Sequence, residues 1–427
     1  MQTSPGLRVA IIGGGAAGFF AAITCAQSNP QARVTLYEAT AHPLAKVRIS
    51  GGGRCNVTHA CYEPRELVRH YPRGTRELLG AFHRWQPRDM TAWLTARGVP
   101  LKTEADGRIF PVSDSSMDIV NCLRRAAAEA GVALQLKTGL RSVEHSTPSE
   151  ATNAQIAPFR LALSDGTQAE CDRLLLATGG GRAESGGLKI ARELGHTIEP
   201  PVPSLFTFHI DDPRLRDLAG LSVESVALSL SDGPAEMKKL TSDGPLLITH
   251  WGLSGPAVLK LSAWGARTFA ACDYAFALRI NFVPAQRRDA VQRELAALRT
   301  AQPRRSIARA HNPFGLPARL WERLALSSGV SEPQPCAELS KAQIAALTQT
   351  LTAAEFSVRG KSTNKDEFVT CGGVRLSEID FKTMQSRLCP GLYFAGEVLD
   401  IDGVTGGFNF QAAWTTGYLA GTAMAAG

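Results

Sequence analysis

The chain has 427 residues, more than one hydrophobic core usually organises, so two or three domains are expected. Its 44% hydrophobic and 20% charged residues are ordinary for a globular protein, and nothing approaches the roughly 18 consecutive apolar residues of a membrane span. The net charge is +7, and nine cysteines without a CxxC pair argue against a zinc knuckle or a disulfide framework. A soluble, cytoplasmic, monomeric protein with no metal is expected.

The first residues are too few and too polar for a signal peptide, and the apolar stretch Val9–Ile12 runs straight into glycines, as a buried first strand does. The pattern predicts a strand over Arg8–Ile12, a glycine turn, a helix over Ala16–Ser28 and a strand over Arg33–Glu38. That is one βαβ unit of about thirty residues. A loop dense in glycine and basic residues follows over 39–58. Helical spacing returns around Arg65–Phe82, Pro87–Arg97 (stopped by Gly98) and Met117–Ala130. Ala133–Leu136, Phe159–Leu163 and Glu170–Leu176 read as strands, with Ser164-Asp165-Gly166 as a hairpin turn. Composition changes after Gly187. Thr207–Ile210, Ser222–Leu230 and Tyr274–Phe282 read as strands, and Ala285–Thr300, Pro317–Leu326 and Lys341–Thr352 as helices. Strands return from Phe368, ending with Leu392–Ala395, and a terminal helix starts near Gln411. The plan expected is α/β. A discontinuous Rossmann-type domain (1–190 and 368–427) would carry a β-rich insert (191–284) and a helical, arginine-rich lobe (285–367).

Gly13, Gly15 and Gly18 have the GxGxxG spacing: the first permits a tight turn, the second a close backbone approach to a pyrophosphate, the third close helix–strand packing. Ala16 and Ala17 then open a helix whose free N–H groups favour a diphosphate. Glu38 closes the second strand twenty residues after Gly18, where it can accept hydrogen bonds from ribose hydroxyls. This fingerprint alone leaves FAD and NAD open. Leu174–Leu176 runs into Ala177-Thr178-Gly179-Gly180, a small-residue turn where the chain can approach a dinucleotide again. Leu392–Ala395 meets Gly396-Glu397, and an acid there can bind ribityl hydroxyls, which NAD lacks. Gly406-Gly407-Phe408-Asn409 precedes the terminal helix, whose N–H groups can face a flavin pyrimidine edge. Taken in this order the segments indicate FAD. No second GxGxxG stands between a strand and a helix, so NAD(P)H, if it is the electron donor, would bind transiently.

Five segments carry a family resemblance: Ser50-Gly51-Gly52-Gly53-Arg54-Cys55-Asn56, Gly107-Arg108-Ile109-Phe110-Pro111, Thr249 to Ala257, Cys371-Gly372-Gly373-Val374 and Gly406-Gly407-Phe408-Asn409. Together they resemble the YhiN/BaiN-like flavoproteins over nearly the whole chain. The resemblance implies a Rossmann FAD domain with an inserted β-barrel-like domain and a helical lobe. It also implies an oxidoreductase: an aminoacetone-oxidase-like enzyme, a bile-acid double-bond reductase, or a dihydrouridine synthase of large-subunit ribosomal RNA. Pro43-Leu44-Ala45-Lys46 stands where a Gly-Arg/Lys-Lys run is frequent, so only Lys46 carries over as a basic cofactor contact. Trp251 replaces a small or basic residue, which leaves the substrate open.

In physical terms Gly51, Gly52 and Gly53 bring bare backbone to the cofactor, with Ser50 beside them. Arg54 can offset diphosphate charge, and Asn56 supplies both a donor and an acceptor. Cys55 is either a proton donor opposite a hydride or a packing residue. His250 is a general acid, an orienting group or a structural loop histidine. Arg108 can bind an anionic or carbonyl group. Ala285 to Arg323 carries nine arginines against Asp289, Glu294 and Glu322, a balance of +6; Arg65–Arg88 carries six against Glu66 and Glu77, a balance of +4. These are solvated helices or a surface for ribosomal RNA. Three functions follow: reduction of a ring C=C in uridine of ribosomal RNA, oxidation or reduction of a small amine or enone, or non-catalytic RNA binding stabilised by flavin.

Overall fold

Four apolar residues in a row, Val9–Ile12, need cover on both faces, which a central parallel strand receives. In the computed structural model, which describes residues 6–145, 159–181, 183–184, 186–362 and 369–426, they form β1 (Arg8–Ile12). That strand lies between β2 (Arg33–Glu38) and the strand Arg173–Leu176, parallel to both. Leu392–Phe394 and Ala133–Leu136 extend the parallel sheet outward. Gln385–Ser386 and Ile379–Asp380 add an antiparallel edge, making seven strands. This is a Rossmann-type sheet with its strand order reversing at β1, where ligands bind beyond the carboxyl ends.

Helix α1 (Ala16–Ser28) is buried from Ala16 through Ala26 because it is apolar on every side. The terminal helix, Phe408–Ala425, is also buried nearly all round and packs along α1. Its Gly417 and Gly421 let the backbones touch: a Cβ there would stand 2.6 Å from the Ala17 oxygen and 2.5 Å from the Ala21 oxygen. The stretch read as a loop over 39–58 contains α2 (Ala45–Gly53), whose backbone leaves helical geometry at Ser50, Gly51 and Gly52.

The chain divides into two compact units, Met1–Pro203 with Lys365–Gly427, and Ser204–Asn364. The expected start of the returning FAD-domain segment, 368, lies outside the described residues. The second unit has a seven-stranded antiparallel sheet ordered Ala354–Arg359, Ala275–Asn281, Ser222–Leu230, Thr241–Thr249, Gly252–Ser254, Thr207–His209, Lys361–Ser362. Its two edge strands follow one another in the chain, and His209 N–H donates to the Gly360 carbonyl between them at 2.9 Å. The sheet therefore closes as a barrel.

The helices Arg288–Ala301, Ala318–Ser327 and Lys341–Ala353 bury Leu295, Trp321 and Leu347 in the same core as Leu228, Ile248 and Phe356 of the strands. Where composition separated 191–284 from 285–367, one hydrophobic core joins most of both. Among the described residues, Arg293, Arg309 and Arg323 sit on Asp289, Glu332 and Asp217. Arg287, Arg299, Arg304 and Arg305 are exposed with no carboxylate partner among the described residues. In the other basic stretch Arg69 pairs with Glu66 and Arg73 with buried Asp402, while Arg84 donates to the Lys382 carbonyl.

Candidate cofactor and active site

The carboxyl ends of β1, β2 and Arg173–Leu176 open onto one cleft. Gly13 turns the chain there with φ of 111°, and a Cβ on it would stand 2.3 Å from the Ala177 carbonyl oxygen. Only glycine allows that turn and that approach. Gly13 N–H donates to the Tyr37 carbonyl and Ala177 N–H to that of Ile12, each at 2.8 Å, which fixes both turns to the sheet. Gly15 caps α1 with no side-chain hydrogen bond, so the first-turn N–H groups at Ala16, Ala17 and Gly18 lack the acceptor a capping side chain would give.

Glu38 turns its carboxylate back onto the glycine loop. Oε2 accepts from Gly14 N–H at 2.8 Å, and Oε1 from the N–H and hydroxyl of Thr40, both at 2.8 Å. Beside it a cavity is lined by Gly13, Tyr37, Glu38, Thr178, Gly187 and Ile190. The Thr178 hydroxyl is buried there without a partner among the described residues. An oriented acid, an orphaned hydroxyl and an uncapped helix end at the strand reversal fit a dinucleotide.

A second group surrounds Glu397. Oε1 accepts from Thr370 N–H at 2.8 Å, and Oε2 meets Lys46 Nζ at 2.6 Å. Gly179 and Gly180 lie against this carboxylate; a Cβ on Gly180 would be 2.4 Å from the Thr370 hydroxyl. Gly396 N–H donates to the Thr416 hydroxyl at 2.9 Å. Lys46, Gly179, Gly396 and Glu397, remote in sequence, are thus brought together.

The Ser50–Asn56 turn is a third group. Gly51, Gly52 and Gly53 take left-handed φ values of 58°, 70° and 86°, which explains three glycines in succession, since each L side chain there would cost about 1–2 kcal/mol. Cys55 is also left-handed, at φ 61°, and its N–H donates to the Ser50 carbonyl at 2.9 Å. It is fully buried, and burial pushes its thiol up to about 12, against a bond to Ser50 that acts the other way. Arg54 and Arg108 share one acid: Nη1 of Arg54 meets Glu104 Oε1 at 2.7 Å, and Nη2 of Arg108 meets Oε2 at 3.0 Å. The Arg54 guanidinium also lies 4.0 Å from the Phe110 ring centre and 3.5 Å from Asp114.

Asn56 joins this turn to the terminal helix. With its amide nitrogen on the Thr58 carbonyl, its oxygen accepts from Gly407 N–H at 3.0 Å. Asn409 accepts from Gly403 N–H and donates to the Gly403 carbonyl, at 2.8 and 2.9 Å, pinning the loop before Phe408. Glycine is required at 407, where a Cβ would stand 2.6 Å from the Thr58 carbonyl oxygen.

The family model described as "HI0933-like protein Rossmann domain" matches residues 7–423. The chain belongs to the HI0933-like family. It is 32% identical over 417 residues to the ribosomal RNA dihydrouridine synthase of Escherichia coli (strain K12), covering 96% of this chain and 95% of that one. It is 29% identical over 424 residues to the 3-dehydro-bile acid delta(4,6)-reductase of Clostridium scindens, covering 98% and 99%. Among solved structures it is similar to a 3-ketosteroid-delta4-(5alpha)-dehydrogenase from Rhodococcus jostii RHA1, with a TM-score of 0.50 at 14% identity, covering 100% and 99%. This HI0933-like chain is a FAD-dependent oxidoreductase.

In this family member the first unit holds Cys55, Arg108 and the three groups above. His250 belongs to the second unit, exposed on the turn between Thr241–Thr249 and Gly252–Ser254. Sequence reasoning passed over Thr370 and His59. Thr370 carries no motif of its own and is found only through Glu397. His59 follows three residues after Asn56, stacks on Phe408 at 4.7 Å, and donates from Nε2 to the Asp106 carbonyl at 3.0 Å. Because a carbonyl only accepts, Nε2 carries the proton in that bond. His70 stacks on the same Phe408 at 4.1 Å. Burial holds His59 below the usual histidine range. Among the described residues no group of three His, Cys, Asp or Glu side chains is placed to hold a metal, and no helix is long and apolar enough to cross a membrane.

Proposed function

We propose that this oxidoreductase reduces the C5=C6 bond of a uridine in large-subunit ribosomal RNA, giving dihydrouridine. The observation that carries the proposal is the pair of named relatives: both names describe saturating a ring C=C conjugated to a carbonyl, and the more similar of the two acts on ribosomal RNA. The arginines without carboxylate partners in the second unit favour the polyanion over a free enone.

In this reading Gly13, Gly15, Ala16, Ala17 and Gly18 hold the FAD diphosphate, Glu38 and Thr178 its adenosine half, and Lys46, Ala177, Gly179, Gly396 and Glu397 the ribityl chain and its approaches. Ser50–Asn56 and Gly407, Phe408 and Asn409 border the flavin ring. Reduced FAD, when bound, supplies hydride to the carbon β to the carbonyl. NAD(P)H, bound transiently, is the proposed source of those electrons. Arg54 braces the glycine turn through Glu104 and Phe110 and is proposed to offset the charge of the cofactor from there. Arg108 is the residue proposed to polarise the substrate carbonyl, on releasing its share of Glu104. Cys55 packs the turn; with its thiol buried, the proton for the α-carbon comes from water.

Anaerobic mixing tests this. Holoenzyme with its flavin reduced should be reoxidised by ribosomal RNA fragments at rates far above those with a small enone. Reoxidation by the enone alone would instead give the second reading, a small-molecule reductase, which the Clostridium scindens relative favours.

A further inference from the structure

Trp251 stands on the hairpin turn between Thr241–Thr249 and Gly252–Ser254 and is 62% exposed, more than any other large apolar side chain described. Nothing in the folding of the barrel calls for an indole there, since its area stays in water. The backbone beneath it is nonetheless tightly held. Trp251 N–H donates to the Thr249 hydroxyl at 3.3 Å, and its carbonyl accepts from Ile210 N–H at 2.9 Å. Gly252, at φ 143°, approaches so closely that a Cβ would stand 2.3 Å from the Phe208 oxygen. The His209 ring, also exposed, stands edge-on to the indole, centroids 6.3 Å apart at 80°. A flat ring on a rigid turn loses little conformational freedom on binding.

The surroundings are cationic. His209 N–H is bonded to Gly360, which Arg359 and Lys361 flank; Lys361 lies over the Tyr274 ring at 3.4 Å, and Arg359 is exposed with no carboxylate partner among the described residues. The acids just after His209 are neutralised, Asp211 by Arg216 at 3.4 Å and Asp212 by Arg214 at 2.7 Å. His250 is exposed beside the indole in sequence. A protein hot spot needs apolar neighbours that exclude water; these neighbours are imidazoles and cations. Exposed aromatic rings beside positive charge are the chemistry that takes an unstacked nucleobase and its phosphate.

We infer that Trp251, with His209 at its edge, is a stacking platform for one unpaired base of the RNA, an inference that rests on the RNA reading above. Stacking and charge neutralisation leave different signatures. Loss of a phosphate contact flattens the dependence of affinity on salt, whereas loss of a stacked base lowers affinity equally at every salt concentration. The test compares wild-type holoenzyme with Trp251→Ala and Trp251→Phe, titrated with a uridine-containing single-stranded RNA and with its duplex across about 50–200 mM salt. Trp251→Ala should weaken single-strand binding by about 5- to 100-fold with an unchanged salt slope. Trp251→Phe should recover most of the loss, and duplex affinity should not move. Equal affinities for wild type and Trp251→Ala, an equal loss on duplex, or a changed slope would each overturn the platform while leaving the RNA reading intact. Wild-type holoenzyme that binds no RNA would overturn both, and unchanged far-UV circular dichroism and thermal unfolding show that the variants fold.

Discussion

At Gly13 two requirements coincide, a left-handed turn and a backbone 2.3 Å from where a Cβ would be. Gly13→Ala should therefore weaken FAD binding by about tenfold or more, read from the flavin content of purified protein and from titration of the apoprotein; unchanged content would remove this loop from the cofactor site. Cys55 gives a complementary expectation. Its buried thiol, held at about 12, should resist alkylation at pH 8 in the native protein and react only on unfolding, while the part-exposed Cys61 and Cys272 react first. Rapid native labelling of Cys55 would restore it as a candidate proton donor. The glycine loop, Glu38 and the Ser50–Asn56 turn were legible in the sequence because each is a local backbone demand that only glycine or one short polar side chain meets. Arg54 was not, since the Glu104 that claims it lies 50 residues away and no local pattern announces it.

Among the elements, α1 and the terminal helix depend on a bare surface at Gly417 and Gly421. Gly421→Val should destabilise the first unit by about 1–3 kcal/mol, seen as a lower Tm and loss of flavin at a lower temperature; an unchanged Tm would mean the helices can separate freely. Histidine burial adds a pH effect. His196 is buried between Glu378 at 3.1 Å and the Ser386 hydroxyl at 2.8 Å, and burial lowers its pKa below 6.5 even though Glu378 acts to raise it. The unfolded chain then binds more protons than the folded one below pH 6.5. Its contribution to stability is present above that pH and is lost as pH falls through the lowered folded value. A Tm that drops from pH 7 to 5, less steeply in His196→Gln, is the expected result; equal slopes would assign the drop elsewhere. The βαβ unit was readable because its apolar periods are long and its turns are glycine. The helical pattern over Arg65–Phe82 concealed a break: Tyr71 precedes Pro72 and is extended at φ −114° and ψ 105°, so Pro64–Leu67 and Thr75–Phe82 are separate helices. Thr241–Thr249 was missed as a strand because Gly244 and Pro245 interrupt its alternation.

For the whole molecule, the distribution of charge decides more than its total. Several of the arginines that made two stretches look basic are already paired inside the fold, Arg73 with Asp402 among them. Arg299, Arg304 and Arg305 retain their charge for a partner. Replacing these three with alanine should lower the slope of log affinity for RNA against log salt by about two to three, whereas Arg293→Ala with Arg309→Ala should change it by less than about one. Equal effects would mean that net charge alone attracts RNA. Composition could not make this distinction, because carboxylate partners such as Glu332 and Asp217 come from other segments.

The most direct test of the central claim is the dihydrouridine content of ribosomal RNA from cells lacking the gene, from wild-type cells, and from the deletion complemented with wild type or Gly13→Ala. Loss of one dihydrouridine from large-subunit RNA, restored by wild type but not by the flavin-site variant, is the expected result. Identical dihydrouridine content in the deletion and the wild type would contradict the assignment of uridine in ribosomal RNA as the substrate.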